Sequence, residues 1–151
     1  MTDIPQELKE YPNWVVWRTE ERDGKPTKVP YHPDGYRAST TDPNTWSTFD
    51  EAHVASIAHD GMGFVFTNAP FAGVDLDHVL DGDDLDNQAA EIVAVLNSYT
   101  ERSPGGDGLH VIVKGELPEG RNRKGNVEMY DASRYFTMTG DHWPGTPTAV
   151  E

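Results

Sequence analysis

"GVDLDHVLDGDDLDN" (residues 73–87) holds six aspartates, and two of them, Asp75 and Asp77, stand inside an otherwise apolar run. Side chains alternate across a strand, so Val74 and Leu76 point to one face while Asp75 and Asp77 share the other. Two neighbouring carboxylates repel and are driven to protonate. A divalent cation between them removes that cost, and oxygen-only donors favour magnesium or manganese. The plainer alternative, two aspartates on a solvated sheet face, is the commoner meaning of a lone D-x-D. An EF-hand loop fails on spacing: counted from Asp75, its fifth and sixth positions fall on Val79 and Leu80, where an oxygen ligand and a glycine are needed.

Working outward, "MGFVFT" and "FAGVDLDHV" read as two strands joined by a turn at Asn68-Ala69-Pro70. Upstream, "NWVVWRT", the turn "ERDGKPT" and the segment around "KVPYH" form a hairpin. A helix then starts at the capping box Thr48-Phe49-Asp50-Glu51, buries Ala52, Ala55 and Ile57, and stops at Asp60-Gly61. Downstream, Ala89, Ile92, Val93 and Leu96 follow the spacing of a one-sided helix capped by Asp86 or Asn87. "YTERS", "LHVIVKG", "VEMYD" and "RYFTMTG" complete the chain as short strands. The connections are too short for helical crossovers, so the expected class is α+β: a mostly antiparallel sheet with two helices packed on one face.

Composition bounds the rest. A chain of 151 residues, 36% hydrophobic and 25% charged, suits one folded domain, expected to span residues 1–151. Within it, residues 1–62 form an amino-terminal αβ part and residues 63–151 carry the motifs. The absence of cysteine excludes disulfides, thiolate zinc sites and a cysteine nucleophile. Neither an export signal nor a run of about 18 apolar residues occurs, so a cytoplasmic protein with no membrane partner is expected. The net charge of -14 repels nucleic acid at ordinary salt. Concentrated salt screens that repulsion, and an acidic, lysine-poor surface is one that halophiles use.

Two more segments carry candidate chemistry. In "SPGGDGLHVIVKG", Ser103-Pro104 and the glycines Gly105, Gly106 and Gly108 lead directly into a strand bearing His110. Glycines let backbone N–H groups approach an anion closely, which suits a triphosphate. A half-buried structural histidine above a hairpin turn is the ordinary alternative. No Gly-Lys-Ser/Thr follows and the next element is a strand, which excludes a P-loop. In "NVEMYDASRYFTMTG", Glu128 and Tyr130 share a strand face, so Glu128 can complete a three-carboxylate site. Arg134, beyond a tight turn, can reach a phosphate with its fork of donors. Taken singly, an exposed strand glutamate and its surface ion-pair partner are the plainer readings.

The order of these pieces is distinctive: acid-x-acid on a strand, a glycine-rich turn into a strand histidine, then a strand acid followed by an aromatic strand. It resembles the archaeo-eukaryotic primase superfamily, in particular the primase-polymerase domains of phages, plasmids and archaeal mobile elements. "GVDLDHV", "SPGGDGLHVIV" and "VEMYDASRYFTMTG" look like that family's three motifs, and "GKPTKVPYHPDGYRASTTDPNTWSTFDEA" like the leader of its phage-type members. Where many relatives carry a serine two residues before the histidine, this chain has Gly108, which leaves Ser103 and backbone amides to do that work.

The resemblance implies an RRM-like catalytic sheet and a DNA primase or polymerase that transfers a nucleotide from a (d)NTP to a primer 3′-hydroxyl on a DNA template. It implies Asp75, Asp77 and Glu128 as ligands of two Mg2+ or Mn2+ ions, and His110 as both a catalytic residue and a triphosphate ligand. Ser103, Gly106, Gly108, Arg134 and Lys28 join the nucleotide site, and Arg37, Arg121, Arg123 and Lys124 are the candidates for nucleic acid. A helicase domain or protein is a further expected partner.

Trp14, Trp17, Tyr31 and Trp46 are candidates for stacking on bases, though strand tryptophans more often belong to a core. Two other functions use the same residues. A metal-dependent phosphoesterase or nuclease would employ the three carboxylates with water as nucleophile. A nucleotide- or nucleic-acid-binding module of a replication protein would keep the fold without turnover. A rolling-circle nicking enzyme needs neighbouring metal-binding histidines, and no H-x-H occurs.

Overall fold

The computed structural model describes residues 4–115, 123–124, 127–132 and 134–151. The hairpin of β1 (Trp14–Arg22) and β2 (Lys25–Tyr31) is present, and its strands run further than the residue types suggest, until Arg22 stands opposite Lys25. The turn is therefore only Asp23-Gly24, with φ of 52° and 78°. Positive φ at both central residues matches the right-handed twist of the flanking strands, and Asp-Gly is a pair that tolerates it. On the other side of β1 lies β3 (Gly61–Val65), and beyond that β11 (Tyr135–Met138), giving an antiparallel sheet of order β11-β3-β1-β2.

A second antiparallel sheet of five strands has the order β7-β8-β4-β10-β9. It is built from β4 (Phe71–Leu76), β7 (Thr100–Arg102), β8 (Leu109–Lys114), β9 (Arg123–Lys124) and β10 (Val127–Tyr130). The aspartate-rich loop folds into a small hairpin of its own, β5 (Leu80–Asp81) with β6 (Asp84–Leu85), turning through Gly82 at φ 64°. Among the described residues there are three α-helices: α1 (Gln6–Lys9), α2 (Phe49–Ala55) and α3 (Asn87–Leu96). The class is α+β with antiparallel pairing, as the sequence indicates. Among the described residues no helix is long and apolar enough to cross a membrane.

The arrangement differs from one sheet with two helices on one face. Strands β3 and β4 are consecutive but do not pair; the turn around Asn68, at φ 62°, passes the chain from one sheet to the other. The reason lies in the second sheet, where both faces of β4 and β8 carry apolar residues. Val74, Leu76, Leu109 and Val111 pack beneath Ala89 and Val93 of α3. Phe71 and Ile112, on the opposite face, enter the core shared by Trp14, Val16, Phe64 and Phe136 of the first sheet. A sheet apolar on both faces needs cover on both. Helix α2 instead contributes Phe49 and Ala52 to that shared core.

The capping box at Thr48 forms as the sequence reads: Thr48 Oγ1 accepts from the Glu51 N–H, and Glu51 Oε1 accepts from the Thr48 N–H. Asp86 caps α3, accepting from the N–H groups of Gln88 and Ala89. The expected burial of Ile57 does not occur; its side chain is 90% exposed. Helix α2 ends at Ala55, and the chain tightens into a 3-10 turn over Ser56–Ala58. That turn advances three residues per turn instead of 3.6, which carries Ile57 off the buried stripe.

Candidate active site

Asp75 stands at the middle of a polar row that crosses the five-stranded sheet. Glu128 of β10 is registered opposite it on one side and His110 of β8 on the other. Glu101 of β7 lies opposite His110. Residues directly opposite in an antiparallel ladder share a face. All of this follows from the alternation that sends Val74, Leu76, Leu109 and Val111 beneath α3. Asp77 follows just after β4 and faces the same cavity, of about 390 Å³. Its walls also include Lys28, Ser103, Pro104, Gly105, Arg134 and Thr137.

His110 is held on three sides. Its Nδ1–H donates to the Thr137 carbonyl at 3.1 Å, its ring stacks on Phe136 at 4.4 Å between centroids, and its Nε2 lies 3.4 Å from Asp75 Oδ1. Burial pulls its pKa down, but the neighbouring Asp75 carboxylate, with Glu101 and the Thr137 carbonyl, holds it above the ordinary value. Asp77 is raised as well, by burial first and then by the charges of Asp75 and Glu128, with His78 opposing. Among the described residues, Asp75 Oδ1 is a buried side-chain oxygen that makes no hydrogen bond and has only the His110 ion pair beside it. A buried, unsatisfied carboxylate oxygen beside further carboxylates is costly unless a cation joins it.

Among the described residues no group of three or more acidic or imidazole side chains is already gathered at metal-holding distance. The donor set nevertheless fits a hard divalent cation by its chemistry: three carboxylates on one cavity, one with an orphaned oxygen and one with a raised pKa.

The glycine-rich turn is closed by two backbone bonds, Ser103 N–H to the Gly108 carbonyl and Gly106 N–H to the Ser103 carbonyl, both 3.0 Å. Gly106 takes φ 87°, and Arg102 grips its carbonyl at 3.0 Å while also reaching the Gly82 carbonyl and Asp83 Oδ1. Ser103, Pro104 and Gly105 line the cavity, whereas Gly106 and Gly108 are not among its walls and instead shape the turn. Asp107 is engaged by His78, Nδ1 to Oδ2 at 2.7 Å, and the resulting hydrogen bond and charge raise the His78 pKa.

Gly108 presses on the end of β4. A Cβ there would sit 2.8 Å from the Leu76 carbonyl oxygen and 3.1 Å from Ser103 Oγ. A side chain at this position therefore requires the backbone to shift. Gly108→Ala is expected to lower thermal stability by about 1–3 kcal/mol, because backbone must move to admit the methyl group. Urea unfolding of the two proteins measures it, and equal midpoints would contradict the steric account.

Of the remaining candidates, Lys28 and Arg134 reach the cavity. Their charged groups lie 5.8 Å from the Trp17 ring and 5.2 Å from the Tyr130 ring respectively. Arg37 does not line it and pairs with Glu20 at 3.2 Å. Arg123 and Lys124 form β9, with Arg123 registered opposite Glu128, but their side chains lie outside the described residues, as does all of Arg121. Trp14, Trp17 and Trp46 are buried, and Tyr31 donates its hydroxyl to Glu20. Sequence reasoning missed Glu101, Phe136 and Thr137. Glu101 has no motif around it, and only the register of β7 on β8 brings it beside His110.

No family profile matches the chain. Over 91% of its length it is 42% identical to a DNA primase-polymerase of Nitratiruptor phage NrS-1, and it spans about a fifth, 20%, of that protein.

Proposed function

We propose that the chain is a phage-type primase-polymerase domain and a DNA-directed nucleotidyltransferase, adding a (d)NTP to a primer 3′-hydroxyl on a DNA template; its 42% identity to the phage protein over 91% of its length supports this reading. The observation that carries this reading is the register of Asp75 between Glu128 and His110 above one cavity. Asp75, Asp77 and Glu128 would hold two divalent ions, Mg2+ or Mn2+. Bound there, such ions supply charge neutralisation for the triphosphate and a lowered pKa for the attacking hydroxyl.

The chain's own groups do the positioning. Because the Nδ1–H of His110 is committed to Thr137, its Nε2 is the nitrogen left to face Asp75 and the triphosphate. Arg134 offers a planar fork to a phosphate and Lys28 a point charge. The Ser103 hydroxyl and the Gly105 N–H complete the anion's surroundings, with Gly106 and Gly108 fixing the turn. Residues 1–151 act in this reading as one catalytic domain with an RRM-like motif sheet. Arg37, Arg121, Arg123 and Lys124 contact the template backbone, and a helicase domain or protein works beside it during replication of a mobile element.

Incubation with labelled primer-template, magnesium and dNTPs is expected to lengthen the primer. Shortened products would instead identify a nuclease that uses the same carboxylates with water. Unchanged length combined with dATP-dependent manganese broadening of cavity resonances would identify a binding module.

A further inference from the structure

Glu101 is a fully buried carboxylate, 0% exposed, on β7 beside the site. Its partners are neutral donors: Oε1 accepts from the Tyr99 hydroxyl at 2.7 Å and the Gly140 N–H at 3.1 Å, and Oε2 from the Thr139 N–H at 2.6 Å. The Thr139 hydroxyl, 3.0 Å from Oε2, is shared with the Arg102 carbonyl at 2.7 Å. Thr139 and Gly140 directly follow β11, which belongs to the other sheet. Glu101 therefore clamps the end of β11 to the five-stranded sheet. Two residues before Thr139 is Thr137, whose carbonyl receives the His110 Nδ1–H.

Burying a carboxylate is expensive unless every lone pair finds a donor, and a simple inter-sheet tie is made equally well by apolar packing. What the carboxylate adds is direction. It accepts two adjacent backbone N–H groups, at residues 139 and 140, and so fixes the peptide planes that carry the Met138 and Thr139 carbonyls, anchoring the chain one peptide beyond the Thr137 carbonyl.

We propose that Glu101 is a positioning residue: through Thr139 and Gly140 it holds the Thr137 carbonyl in place, which fixes the His110 ring with Nδ1 protonated and Nε2 turned to the cavity. The inference rests on the functional reading above for its consequence in catalysis, but its structural part concerns the free chain. The same logic governs metal sites, where a partner on the far ring nitrogen orients a ligating histidine and its loss costs about 10- to 100-fold in activity.

The test compares the full chain with Glu101→Gln, which keeps the shape but cannot accept from all of these donors, and with Thr100→Val. Thr100 is a buried neighbour on the same strand whose side chain points to the opposite face. Ring-nitrogen NMR of 15N-histidine protein at one fixed pH reads the His110 Nδ1–H signal. It is expected to be protected in the unmodified chain and in Thr100→Val, and to be lost or exchange about tenfold faster in Glu101→Gln. The KM for dNTP is expected to rise about tenfold or more in Glu101→Gln only.

An unchanged Nδ1–H signal in folded Glu101→Gln, or an equal change in Thr100→Val, overturns the proposal. If Glu101→Gln does not fold, Glu101→Asp, whose shorter side chain draws the carboxylate back from both N–H groups, is read by the same signal, and an unchanged Nδ1–H there overturns the proposal. Absence of any nucleotide effect in the unmodified chain would refute the functional reading, while the imidazole signal still decides the role of Glu101.

Discussion

Asp75→Asn is expected to cut primer extension by about three orders of magnitude while leaving the fold intact. The magnitude follows from the charge stabilisation an ion provides, several kcal/mol, at about 1.4 kcal/mol per factor of ten. Asparagine keeps the shape at Asp75 and gives up only its charge pairing with His110 Nε2 at 3.4 Å, so the fold should survive. Removing its charge also relieves Asp77, whose carboxyl is raised partly by Asp75. The midpoint of thermal unfolding should therefore change little, the lost pairing with His110 offsetting the relief of Asp77. Two measurements check this: extension of a labelled primer, and manganese broadening of resonances around the cavity, which should disappear. An Asp75→Asn chain that extends within tenfold of the original would refute the carboxylate-metal reading; loss of activity with loss of fold would refute the claim that Asp75 is dispensable for structure.

Gly73→Ala, a substitution two residues from Asp75, is expected to affect both stability and the site. Gly73 lies on the same face of β4, between Ile112 and Tyr130. A Cβ there would meet Phe136 Cε2 at 2.4 Å and Phe66 Cζ at 2.6 Å. Its backbone conformation suits alanine, so the cost is one of space: two packed rings must move. Overpacking of this kind costs about 1–3 kcal/mol, equivalent to a lowering of Tm by roughly 2–10 °C for a chain of this size. Because Phe136 also stacks on His110, the displacement should reach the site, and dNTP KM should rise along with the fall in Tm. Scanning calorimetry together with steady-state kinetics would show both, and a Tm within 1 °C of the original would mean that the aromatic cluster is looser than these distances imply.

The features legible from residue types alone are the local ones. The capping box at Thr48, the Asp86 cap and the alternation around Asp75 each depend on a few adjacent residues, and each forms as read; the hairpin turn forms too, narrowed to Asp23-Gly24. The errors came where a distant partner decides. Ile57 continues an apolar spacing, yet a helix that stops two residues earlier exposes it. Nor did residue types show that Arg37, a candidate for nucleic acid, stands beside the Tyr31–Arg37 bridge and pairs with Glu20. Asp107, a negative charge in the glycine-rich turn, is met by His78 from the aspartate loop.

By itself, then, the sequence determined which residues face together along each strand, where the tight turns fall and which side chains are chemically suited to divalent ions and phosphate. Backbone periodicity and short-range hydrogen bonding suffice for that. Only the tertiary structure decided that β3 and β4 part into different sheets, that Glu128 and His110 flank Asp75, and that Glu101 reaches the end of β11. Register across strands is set by burying both faces of the central sheet at once, a condition that involves residues far apart in the chain and therefore has no local signature.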